Sequence, residues 1–243
     1  LPQVHKRFVT YGLSPDADLT ARDLRVSGMT TRCEVWHGAQ RLGALQLNLP
    51  GRHYALNALA VVAVARELGI PFEQLQEALA SFDGIQRRFE VKGEADGVLV
   101  VDDYAHHPEE IRVTLRAARE GSCQGKPSRR LVALFQPHRY SRTQELFDDF
   151  LSAFDDADTV FLTEIYPAGE ERREGISGEV LCQALRKRGH VDVRFVAERE
   201  ALAHVVRDFI QSGDMVMTLG AGDIHRTGVE LLDLLRKGAG SAA

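Results

Sequence analysis

The stretch Val98-Leu99-Val100-Val101-Asp102-Asp103-Tyr104-Ala105-His106-His107-Pro108 reads as a buried strand that breaks off in a polar cluster and then opens a helix. An apolar run of this kind suits a strand covered on both faces. Proline is preset for a first helical turn, and the helix is expected to run from about Pro108 to Arg119. The same order recurs downstream. Leu131–Phe135 reads as a strand, followed by a helix carrying Leu146, Phe147, Phe150, Leu151 and Phe154. Thr159–Leu162 is a strand before a helix with Val180, Leu181, Ala184 and Leu185. Val193–Val196 precedes a helix with Leu202, Val205, Val206 and Phe209. Met215–Leu219 precedes a last helix through Leu231, Leu232 and Leu235. Strand–helix pairs in strict alternation require crossover connections and a mostly parallel sheet with helices on both faces. The expected fold class is therefore α/β, with a doubly wound, Rossmann-like domain over 86–243. Its tail, Gly238-Ala239-Gly240-Ser241-Ala242-Ala243, is expected to be disordered.

Residues 1–85 have another texture. Phe8–Tyr11, Cys33–Trp36 and Leu45–Leu49 read as strands of an antiparallel meander, punctuated by Ser14-Pro15-Asp16 and Gly38. A helix follows, with Ala58, Leu59, Val62, Ala65 and Leu68 on one face and Gly69 as its stop. Pro71 opens a second helix, with Leu75, Ala78, Leu79 and Phe82 inward. A strand meander and two helices do not make an obviously complete core, and small units are marginal alone.

The bulk numbers exclude several classes. A formal net charge of -5 argues against a nucleic-acid partner, which needs clustered Lys and Arg. No apolar run approaches the roughly 18 residues needed to cross a bilayer, so no membrane insertion is expected. No signal peptide is visible, and Cys33, Cys123 and Cys182 form neither a disulfide framework nor a zinc pattern. Free thiols and a cytoplasmic location are the expectation.

In open α/β sheets, ligands bind beyond the carboxyl ends of the strands. Four of the five expected strand ends carry reactive or glycine-rich sequence: Asp102–Pro108, Gln136–Thr143, Glu164–Glu170 and Gly220–Ile224. Each has a plain alternative. His106 and His107 are neighbours, about 100° apart on a helix, and cannot chelate one ion well. Asp102 and Asp103 could cap the helix. Arg139 and Arg142, if helical, share a face suited to a carboxylate or phosphate, or form a solvated charged face. Gly220-Ala221-Gly222 could cradle an anion or simply turn the chain. A nicotinamide oxidoreductase would need Gly-x-Gly-x-x-Gly after the first strand, where Asp102-Asp103-Tyr104-Ala105-His106 stands instead.

Gly51-Arg52-His53-Tyr54-Ala55-Leu56-Asn57-Ala58 resembles the Mur ligase signature in which Gly-x-His precedes an Asn-rich helix start. Gln86-Arg87-Arg88-Phe89-Glu90 resembles the interdomain Arg-Arg-Phe of that family. Asp102–Pro108, Phe135–Thr143, Glu164–Glu170 and Gly220–Gly222 look like its alanine-adding branch in particular. The resemblance runs along essentially the whole chain, in order. The murein peptide ligase branch, which joins a recycled tripeptide to UDP-N-acetylmuramate, is the alternative. It shares the Asp-Asp-aromatic-Ala-His-His-Pro run but is expected to lack the Gln136–Thr143 version of the second strand end.

The resemblance implies an ATP- and Mg²⁺-dependent ligase that adds L-alanine to UDP-N-acetylmuramate through an acyl phosphate. His53 and Asn57 would contact the adenine region, Arg88 the nucleotide, and Asp103 the ribose or its surroundings. Tyr104, His106, Arg139 and Arg142 would face the muramyl carboxylate, the amino acid or the acyl phosphate, with His106, Arg139 and Arg142 catalytic. Gly220 and Gly222 would line the same cleft. Tyr54 departs from the second Asn common in the family. No phosphate loop of the Gly-x-x-Gly-Lys-[Ser/Thr] kind occurs in the sequence, and the Mg²⁺ ligands are expected outside this chain. Residues 1–85 would be the second half of a central ATPase domain, and the chain alone would be inactive. Leu59, Val62 and Leu79 would then be exposed and drive self-association. A non-catalytic binding module on the same fold is the other reading.

Overall fold

The structure, a computed structural model, describes residues 6–122, 129–190 and 192–240. Cys123 and the last three residues of the tail lie outside them. The chain divides into two compact units, one of residues 1–84 with 120–126 and the other of 85–119 with 127–243.

The first unit is a four-stranded sheet of β1 (Tyr11–Gly12), β2 (Leu19–Ser27), β3 (Thr30–His37) and β4 (Gln40–Leu47), in that order. Helices α1 (Arg52–Glu67) and α2 (Phe72–Ala80) follow. Strands β2 to β4 are antiparallel, as the alternation predicts. The expected first strand is shorter and pairs parallel to β2, a strand that the sequence pattern does not predict. Gly69, at φ 72, ends α1 through Gly69 N–H to Arg66 O and Ile70 N–H to Ala65 O. Leu59 and Val62 are wholly buried against Leu19, Val35 and Leu45 of the sheet, and Leu79 packs at the edge of that cluster. This corrects their expected exposure: the four strands of this unit already cover that face. Val61, Val64 and Leu68, on the other side of α1, are the exposed ones. Leu68 caps the helix and Phe82 lies past the end of α2, so neither points inward as expected.

The second unit runs β5 (Glu90–Ala95), β6 (Val98–Asp103), α3 (Pro108–Ser122), β7 (Leu131–Phe135), α4 (Tyr140–Glu145), α5 (Phe147–Phe150) and β8 (Thr159–Leu162). It continues with α6 (Gly178–Arg188), β9 (Val193–Phe195), α7 (Arg199–Arg207), β10 (Met215–Leu219) and α8 (His225–Gly240). The sheet order is β5-β6-β10-β7-β8-β9, and every pair from β6 to β9 is parallel. This is the doubly wound α/β arrangement. An antiparallel edge strand, β5, is added to the five expected. It joins β6 through Asp96 and Gly97, both at positive φ, the two-residue turn that fits strand twist. β10 is buried along its length because it has a strand on each side and Leu202, Val206, Leu231 and Leu232 above Val216. A fully buried side chain of this size contributes about 1.5–3 kcal/mol, which is why the run is uniformly apolar. Of the helix expected across 146–154 only α5 is helical, preceded by α4 and followed by turns, with Phe150 and Phe154 packed on Phe135. Gly238–Gly240, expected to be disordered, belong to α8.

Candidate active site at the strand ends

The polar sequences all emerge at the carboxyl end of the parallel sheet, where the regular ladder stops and only a few backbone bonds, such as the bridge between His138 and Tyr166, carry the pairing further. β6 ends in Asp102 and Asp103, both buried, and neither caps α3. Glu110 does that work instead, accepting from the amides of His106 and His107. Asp102 Oδ1 accepts from Thr218 Oγ1 at 2.6 Å and Oδ2 from Arg87 Nε at 3.0 Å. Asp103 accepts from the amides of Phe89 and Ala105, each at 2.8 Å. Burial raises its pKa to about 6, against the pull of those two amides and of Arg88. The expected ribose contact at Asp103 is thus a buried carboxylate with both oxygens engaged. Arg88, partly exposed, lies 3.9 Å from it and 3.7 Å from Glu110.

Arg87, which the sequence does not single out, does more structural work than Arg88. Its guanidinium reaches Asp102, the Gly220 carbonyl at 2.6 Å and the Gly222 carbonyl at 3.4 Å. It thereby fastens the turn after β10 to the end of β6. Arg199, whose Nη1 donates to both oxygens of Glu230 and whose Nε lies 3.7 Å from Asp223, restrains the same turn from α7. Gln136 completes it, donating to Asp223 Oδ1 at 2.9 Å and accepting from Ile224 N. Gly220 (φ 149) has no alternative, because a Cβ there would lie 2.9 Å from the Gln136 carbonyl.

The end of β7 carries His138, Arg139 and Arg142. Arg139 has φ 73 and caps α4 from outside, so it does not share a helical face with Arg142 as expected. Its amide is held by Tyr166 O at 2.9 Å. Its side chain is exposed and makes no hydrogen bond or ion pair among the described residues. Arg142 Nη1 donates to His138 Nδ1 at 3.2 Å. Six described non-glycine residues have positive φ, and four of them, Arg87, Phe89, Arg139 and Ala168, flank this cluster. Such strain costs about 1–3 kcal/mol per residue and gathers where side chains must be aimed.

Four rings form a row across the strand ends. Tyr104 meets His106 edge-on at 5.2 Å, His106 lies 5.7 Å from His138, and His138 stacks on Tyr166 at 5.6 Å. Burial lowers the His106 pKa. Burial, then His106, Arg142 and Arg139, bring His138 down to about 4. Both imidazoles are neutral at neutral pH. Their tautomers follow from their partners. His106 Nδ1 faces the Tyr104 carbonyl at 2.9 Å and must donate, leaving Nε2 as acceptor. His138 Nδ1 accepts from arginine, so its proton sits on Nε2. His138 and Tyr166 were not among the expected site residues, although the strand-end sequences contained them; the signal was an aromatic residue at each neighbouring strand end. In the first unit, His53 is half-buried beside the Tyr54 ring at 4.1 Å, and Asn57 is exposed on α1. Among the described residues no three His, Cys, Asp or Glu side chains group as a metal site, and no helix is long and apolar enough to cross a membrane.

The family described as "Mur ligase, glutamate ligase domain" matches residues 87–222, which hold every strand-end residue above except Asp223, Ile224 and Glu230. The chain belongs to the Mur ligase family. Similar to this Mur ligase chain is the UDP-N-acetylmuramate–L-alanine ligase of Geobacter sulfurreducens, 52% identical over 98% of the chain and 50% of that protein. The enzyme of the same name from Anaeromyxobacter sp. (strain Fw109-5) is 52% identical over 97% of the chain and 50% of its own length. A crystal structure of the UDP-N-acetylmuramate-alanine ligase of Thermotoga maritima superposes with a TM-score of 0.80 at 29% identity, covering 95% of this chain and 48% of that one. The chain spans about half the length of the curated relatives it matches.

Proposed function

We propose that this chain carries the substrate-activating half of an ATP-dependent ligase that joins L-alanine to UDP-N-acetylmuramate. The observation that carries the reading is one exposed and one half-buried arginine, Arg139 and Arg142, beside two neutral imidazoles at a single set of strand ends. The names of the similar proteins support it. A carboxylate is a poor electrophile, and ATP with Mg²⁺ supplies the phosphoryl group that turns it into an acyl phosphate. The residues of this chain do the rest. Arg139 and Arg142 bind the muramyl carboxylate and then stabilise the charge that develops on the reacting carbonyl. His106 Nε2, neutral and unprotonated, accepts a proton from the attacking amine of L-alanine. Tyr104 and the Gly220–Gly222 turn wall the cleft.

Toward the nucleotide, His53 and Asn57 offer ring and carboxamide hydrogen-bonding groups for the adenine, and Arg88 an accessible guanidinium. Asp103 acts by positioning, holding the Phe89 amide and facing Arg88. The Mg²⁺ ligands are assigned outside this chain.

The test supplies the unmatched half of a relative as a second polypeptide, with ATP, Mg²⁺, UDP-N-acetylmuramate and L-alanine, and follows phosphate release. Alanine-dependent turnover is expected with both polypeptides and not with this chain alone. Arg139→Ala is expected to lower kcat/KM about 100-fold, the worth of one charged bidentate contact. Turnover with tripeptide but not alanine would replace this reading with the recycling ligase.

A further inference from the structure

Tyr166 has no part in the reaction as written above, yet its backbone and its ring are both held by neighbouring strand-end loops. Its backbone zips two strand-end loops together: Tyr166 N donates to Pro137 O at 2.8 Å, and Tyr166 O accepts from Arg139 N at 2.9 Å. Its ring lies nearly parallel to that of His138, with 8° between the planes. Gly222 leaves room for it, since a Cβ there would come within 2.8 Å of Tyr166 Cγ.

The ring in turn fixes His138. An imidazole is free to rotate about its last side-chain torsion unless a neighbour holds its plane. The stack holds it with the Nδ1 lone pair toward Arg142 Nη1. If the ring turned, Arg142 would keep only a 3.4 Å contact with the His138 carbonyl. A long guanidinium side chain with one weak contact samples many rotamers, and a carboxylate would have to order it on binding.

We propose that Tyr166 is a positioning residue that holds Arg142 ready for the substrate carboxylate through His138. The identity of that carboxylate rests on the ligase reading; the relay itself does not. Nitrogen-resolved NMR of this chain reads both downstream members, the His138 tautomer and the Arg142 Nε–H. Tyr166→Ala is expected to mix the two His138 tautomers and to broaden the Arg142 signal, while Tyr166→Phe keeps both as in the parent. Tyr166→Leu, which retains bulk without a ring, serves if the alanine variant does not fold. In the two-polypeptide assay, losing the ring is expected to raise KM for UDP-N-acetylmuramate about tenfold, one charge-assisted hydrogen bond, with KM for ATP unmoved and recovery in Tyr166→Phe. An unchanged His138 tautomer and Arg142 signal in a folded ringless variant would overturn the proposal. Altered signals together with a parent that ligates nothing even when the second polypeptide is supplied would instead sink the ligase reading and leave the relay standing.

Discussion

Replacing Arg87 with alanine strands a buried charge. Asp102 is wholly buried, and one of its oxygens depends on Arg87 Nε at 3.0 Å. The Thr218 hydroxyl on its other oxygen is the remaining partner. Removing one member of a buried ion pair costs about 3–5 kcal/mol, because the partner stays desolvated. The 2.6 Å bond to the Gly220 carbonyl adds about 1 kcal/mol. The contact at 3.4 Å to Gly222 is too long to count. The loss is therefore about 4–6 kcal/mol, a large part of the roughly 5–15 kcal/mol that holds a domain. Urea unfolding followed by circular dichroism should show the second unit's midpoint falling by roughly 2 M. The sole tryptophan, Trp36, lies in the first unit, so its fluorescence follows that unit separately. Adding Asp102→Asn should recover more than half of the loss, since the amide carries no charge to strand. A loss under about 1 kcal/mol in Arg87→Ala, or no recovery in the double variant, would refute the reasoning.

Gly222→Ala forces a Cβ to 2.4 Å from Gln136 Oε1 and 2.8 Å from Tyr166 Cγ; a destabilisation of about 1–3 kcal/mol is expected by calorimetry, and a fully stable variant would show that the turn yields freely. Gly43→Ala combines φ 152 with a Cβ at 2.7 Å from Phe72 Cε1, so the Trp36 transition should weaken by about 1–3 kcal/mol or more. His138 has a folded pKa near 4, below its unfolded value, so the unfolded chain binds more protons between about pH 4 and 6.5. Its contribution to stability therefore falls as pH drops through that window. Asp103, raised to about 6, acts in the opposite sense, losing stability as pH rises from about 4 to 6. The parent's stability relative to His138→Gln should thus rise from pH 4 to 6.5 and level off above; a flat difference would place His138 in water.

The parallel core was legible because runs such as Leu131–Phe135 and Met215–Leu219 have no polar face to offer solvent. β5 was not expected, since Glu90–Ala95 is an edge strand with weak apolar content, although Asp96-Gly97 carries a hairpin signal. β2 was missed because Asp23, at φ 49, interrupts its alternation where the register shifts against β3. The strand ends marked the candidate site in the sequence, and Arg139, Arg142, His106 and Gly222 all lie at them in the structure. Which of Arg87 and Arg88 turns inward was not readable, because adjacent residues on an irregular segment follow no period. The His138–Tyr166 stack joins two strand ends that are far apart in sequence, and no local pattern encodes it. The exposure expected of Leu59 and Val62 failed because the meander alone supplies a complete covering sheet.

The last strand of the chain, β10, lies between β6 and β7, which never touch each other in the sheet. On the ribosome, the two earlier strands must wait with open edges until residues 215–219 have left the exit tunnel. The site's walls then come together in one late step, when β10 slides between β6 and β7. Long-range pairing of this kind is slow and leaves the waiting edges open to other chains. A nascent chain stalled before Met215 would carry nearly all of the site's side chains, with β6 and β7 still unjoined.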